Sequence, residues 1–107
     1  MLCFLLVQPV YGHAILLEAT PGANQVVSGP DVPFSLRFNS RIDVKRSRIT
    51  LVAPDGSETS LPIESQTSAD RLSAKAKGLQ RGPYVLRWQV LAVDGHITGG
   101  EIPFRVQ

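Results

Sequence analysis

The chain has 107 residues, 43% of them hydrophobic and 19% charged, with a formal net charge of +2. That length and apolar content suit one packed domain and exclude a disordered segment. The small, scattered charge excludes an extended nucleic-acid surface, and Lys45-Arg46-Ser47-Arg48, the densest basic patch, reads as the solvated start of a strand.

Residues 1–12 carry no charged side chain; a short apolar run leads to Pro9 and then to Val10-Tyr11-Gly12. Small or branched residues at the −3 and −1 positions mark the end of a secretory signal peptide, although the usual basic n-region is missing. The run is far short of the ~20 apolar residues a membrane span needs. Cleavage after Gly12 would leave a domain over 13–107 with His13 as its first residue. The single cysteine, Cys3, and the single methionine, Met1, both lie in the removed segment. Without sulfur ligands, residues 13–107 can build neither a thiolate blue-copper centre nor a thioether Cu(I) site.

Ala14 to Glu18 predicts a first strand, stopped by Thr20-Pro21-Gly22, with Gly29-Pro30 as a second stop. Phe34-Ser35-Leu36-Arg37-Phe38 alternates cleanly and puts Phe34, Leu36 and Phe38 on one buried face. Arg48 to Ala53 alternates as well, and Pro54-Asp55-Gly56-Ser57 turns it into a hairpin with Glu58–Ile63. Polar residues 64–70 read as a loop, and Leu72, Ala74 and Ala76 as a short strand. After Gly82-Pro83, Tyr84, Leu86, Trp88, Val90 and Ala92 form the longest alternating run. Gly99-Gly100 then precedes a closing strand with Ile102, Phe104 and Val106 inward. No stretch sustains a 3.6-residue apolar period. About seven short strands with frequent turn signals predict an all-β fold, an antiparallel immunoglobulin-like β-sandwich or Greek-key barrel.

The chain has two histidines, His13 and His96, and the second lies in Val93-Asp94-Gly95-His96. If the backbone stays extended through Gly95, Asp94 and His96 share the face of Trp88, Val90 and Ala92; a turn at Gly95 could also converge them. By itself Asp-Gly-His is weak evidence, because Asp-Gly is a common turn pair. His13 adds to it, since an N-terminal histidine offers its α-amine and its imidazole Nδ1 to one metal. The amine's ordinary pKa of about 7.7–8 makes deprotonation near neutrality cheap. His13, Asp94 and His96 together supply three nitrogens and one oxygen, a set that suits tetragonal Cu(II) and that Zn(II) would bind less tightly.

His13-Ala14, Leu36-Arg37-Phe38, Gly82-Pro83-Tyr84-Val85-Leu86-Arg87-Trp88 with Val93-Asp94-Gly95-His96, and Gly100-Glu101-Ile102-Pro103-Phe104-Arg105-Val106 resemble the CopC family. The resemblance spans essentially all of 13–107. It implies a periplasmic copper-binding protein of copper resistance and homeostasis, not an enzyme, with a CopD-like inner-membrane copper transporter as its partner. It also implies His13, Asp94 and His96 as Cu(II) ligands. Some members carry an acid shortly after the third strand; here Phe38-Asn39-Ser40 has none, and Asp43 lies further on. Two other functions compete: an oxidative copper enzyme like the lytic polysaccharide monooxygenases, which also use an N-terminal His, and a metal-free immunoglobulin-like interaction module.

Overall fold

The alternation of large apolar side chains sets up two facing sheets. The computed structural model describes residues 14–107, and among them it has eight strands and no helix. They are β1 (Leu16–Thr20), β2 (Gln25–Val27), β3 (Val32–Phe38), β4 (Ile42–Val52), β5 (Glu58–Leu61), β6 (Arg71–Ala76), β7 (Gly82–Ala92) and β8 (Ile97–Val106). One sheet has the order β1-β3-β6 and the other β2-β8-β7-β4-β5. The expected sandwich is therefore present, with eight strands rather than about seven. It is not wholly antiparallel, because β2 pairs in parallel with the C-terminal part of β8.

Phe34, Leu36 and Phe38 of β3 point into the core, as do Tyr84, Leu86, Trp88, Val90 and Ala92 of β7. Aromatic contacts tie the sheets together. Phe34 meets Phe104 edge-on at 5.5 Å and Phe38 meets Trp88 edge-on at 5.2 Å across the two sheets, while Tyr84 stacks on its strand neighbour Phe104 at 5.6 Å within one of them. Such pairings add to the stabilisation from the apolar area they bury.

Three expectations about strand limits need correcting. β1 is shifted toward the C-terminus, because Ala14 and Ile15 precede the strand ladder with β3. β4 starts at Ile42, so Lys45-Arg46-Ser47-Arg48 lies inside a strand and not at its start. The ladder with β7 breaks between Asp43 and Arg48, and buried Ser47 bridges the irregularity by donating to the Asp43 carbonyl and accepting from the Leu91 N–H. The cations at 45, 46 and 48 stay exposed, as expected.

β8 also begins earlier than expected and runs through Gly99-Gly100. Gly100 lies opposite Trp88, and a Cβ there would sit 2.7 Å from the indole Cζ2 and 2.9 Å from Cε2. The missing side chain at Gly100 makes room for the ring instead of ending the strand. Gly100→Ala should therefore cost about 1–3 kcal/mol through overpacking. A urea titration would show this as a lower midpoint at unchanged slope; an unchanged midpoint would mean that the indole has another place to go.

Candidate metal centre

The β7–β8 connection builds the candidate centre from local rules. The Gly95 N–H donates to the Ala92 carbonyl at 2.9 Å, and the Ala92 N–H donates to the His96 carbonyl at 2.9 Å. With Gly95 at φ +96°, this is a three-residue hairpin loop, a turn followed by a bulge residue in the left-handed region. No atom lies within 4 Å of a Cβ built on Gly95, so backbone conformation alone calls for glycine there.

The turn decides how Asp94 and His96 meet. The backbone does not run extended through Gly95, so the inward face of β7 ends at Ala92. Instead the Asp94 carboxylate folds over the turn. Its Oδ1 accepts the His96 N–H at 3.1 Å, and its Oδ2 lies 2.9 Å from His96 Nδ1. Both side chains reach solvent, His96 at 56% and Asp94 at 34% exposure. Among the described residues, no third His, Cys, Asp or Glu joins them in a cluster. His13, the remaining expected ligand, lies outside the described residues.

Two neighbouring segments frame the hairpin. The half-buried Thr98 donates its hydroxyl to the Ala14 carbonyl at 3.0 Å. The Ile15 N–H donates to Asn39 Oδ1 at 2.7 Å, and the Asn39 N–H donates back to the Ile15 carbonyl at 3.0 Å. The Val93 N–H donates to the Arg41 carbonyl at 3.2 Å. Residues 14–15, the 39–41 loop and the 93–96 turn thus converge at one end of the sandwich. Sequence reasoning missed Asn39 and Thr98, because a lone polar residue beside a strand end carries no pattern that foretells its partner.

Ion pairs elsewhere brace the sheets' exposed faces. Arg37, 2.9 Å from Glu18, holds that carboxylate below its usual range, and Glu101 with Glu58 holds the Arg87 guanidinium above its own. Pairs this exposed contribute little to stability.

Comparison with known proteins gives a consistent match. The CopC domain matches residues 16–107. Protein YobA of Escherichia coli K12 is 29% identical over 101 residues, covering 92% of this chain and 82% of the relative. The crystal structure of CopC from Methylosinus trichosporium OB3b superposes with a TM-score of 0.82 at 29% identity, covering 89% of this chain and 94% of that one. PcoC, a methionine-rich copper resistance protein from Escherichia coli, superposes with a TM-score of 0.70 at 22% identity, over 89% of this chain and 99% of that one. At that identity PcoC bears on the fold alone.

Proposed function

Because this chain belongs to the CopC family, we propose that it is a periplasmic Cu(II)-binding protein that buffers or carries copper, and not an enzyme. Its ligands are the α-amine and imidazole of His13, the imidazole of His96 and a carboxylate oxygen of Asp94. A signal peptide over 1–12 is removed on export, which gives His13 its free amine and leaves 13–107 as the copper-binding domain. A CopD-like transporter in the inner membrane is the partner to which it passes copper or from which it takes it.

The observation that carries this reading is the 2.9 Å between His96 Nδ1 and Asp94 Oδ2. Two adjacent ligands at right angles, each about 2.0–2.1 Å from a metal, are separated by about that distance. The two atoms are hydrogen-bonded side by side on the turn, and a bound ion would take the place of the proton between them. A hard carboxylate with nitrogen donors favours Cu(II) over Cu(I). Support for His13 comes from Ala14, whose carbonyl is bonded to Thr98, two residues beyond His96.

The test is a Cu(II) titration of protein beginning at His13. It should take up one equivalent, and electron paramagnetic resonance should show a tetragonal centre with nitrogen hyperfine structure. Copper should be released as the pH falls through the acid range, since protons compete for the amine and both imidazoles. Absence of stoichiometric uptake would favour the metal-free interaction module. Ascorbate- or peroxide-driven turnover of the loaded protein would favour the oxidative enzyme.

A further inference from the structure

We infer that Thr98 and Asn39 are positioning residues: they clasp residues 14 and 15 so that the donors of residue 13 are held beside the Asp94–His96 pair. This rests on the copper reading above.

The start of a domain frays unless something ties it down. Here strand pairing does not reach far enough, because the ladder between β1 and β3 begins at the Leu16–Phe38 pair. Ala14 is nevertheless buried, at 3% exposure. The bonds that hold this short segment come from outside the ladder. Asn39 grips Ile15 at two points, accepting its N–H through Oδ1 and donating its own N–H to the Ile15 carbonyl. Thr98 grips Ala14 through a single hydroxyl, across 84 residues of sequence.

Position makes these bonds more than local stitching. Thr98 follows His96 by two residues, a rise of about 7 Å along a strand. Residue 13 is one peptide from Ala14, a step of about 3.8 Å between Cα atoms. Fixing the Ala14 carbonyl to Thr98 therefore limits how far residue 13 can stray from the hairpin. The ordering cost of the tether is met on folding and does not weigh against metal binding. Once the clasp is released, the same donors ride on a loose chain, and their effective concentration at the hairpin drops.

The experiment uses proteins starting at His13 and follows Cu(II) affinity by competition with a chromophoric chelator. Thr98→Val, which keeps the shape and removes the donor, should lower affinity about tenfold, the worth of one hydrogen bond. It should also alter the nitrogen hyperfine pattern at equal copper loading. Thr98→Ser should restore wild-type behaviour. Asn39→Ala should lower affinity to a similar extent, and it carries the test alone if Thr98→Val does not fold. In a His96→Ala background, where only the Asp94 oxygen remains at the hairpin, Thr98→Val should cost clearly less than it does in the wild-type protein. Unchanged affinity in Thr98→Val and Asn39→Ala overturns the inference, as does a Thr98→Val loss that persists undiminished without His96. Failure of the wild-type protein to take up Cu(II) overturns the copper reading itself and the positioning role with it.

Discussion

A protein carrying one extra residue ahead of His13 is expected to lose at least about a hundredfold in Cu(II) affinity. The extension leaves both imidazoles and the Asp94 carboxylate in the chain. It converts the α-amine of His13 into an amide nitrogen, which can ligate Cu(II) only after giving up its proton, a far more costly deprotonation than the amine's. Removing even an outer partner of a metal ligand costs about 10–100-fold, so removing a direct ligand should cost more. His96→Ala should lose affinity on the same scale, because the chain's only other histidine is His13, already in the set. Asp94→Asn should lose less: a neutral oxygen replaces a charged one and can still accept the His96 N–H. Competition titration ranks the three variants, and paramagnetic resonance counts the nitrogens that remain. Affinity unaffected by the extension would refute the amine chelate even if His96 still bound copper.

The second large effect concerns the fold that carries the hairpin. Phe38→Ala should destabilise the domain by about 3–5 kcal/mol through lost burial and the cavity left behind. Phe38 is 1% exposed and meets the Trp88 ring edge-on across the two sheets. It also immediately precedes Asn39, so the loss falls in the strand that leads into the 39–41 loop. A typical domain has about 5–15 kcal/mol in total, so the variant should be close to its unfolding threshold. Urea denaturation followed by tryptophan fluorescence measures this through the single Trp88. A loss under about 1 kcal/mol would mean that neighbouring side chains collapse into the space.

Where a strand buries one face against a core, its period shows in the sequence. Phe34, Leu36 and Phe38, and the run from Tyr84 to Ala92, were legible for that reason. β2 was not, since Gln25-Val26-Val27 is only three residues long, mostly exposed, and held by a partner far along the chain. The first half of β4 was hidden because the bulge between Asp43 and Arg48 breaks the alternation. Gly99-Gly100 reads as lying ahead of the closing strand, because what requires small residues there is Trp88, eleven and twelve positions earlier. At the candidate site the pairing of Asp94 with His96 was legible from spacing and chemistry. The turn that makes the pair was one of two backbone paths, and only the φ of Gly95 separates them.

The hydrogen bond from Thr98 to Ala14 also bears on time. The hairpin of β7 and β8 closes locally, an event of about 1–10 μs for hairpins in general, so Asp94 and His96 can meet early in folding. The register of Gln25 with Phe104, of Val32 with Ala76, and the junction of Ala14 with Thr98 all require distant parts of the chain to find one another. Such closures carry a large entropic barrier, and sandwiches built on them fold in milliseconds to seconds. The contact between Asp94 and His96 is thus local, whereas the junction that would bring residue 13 to it depends on the slow long-range closures. On the proposed ligand set, all four donors would come together only at the end of folding, when Ala14 docks on β8.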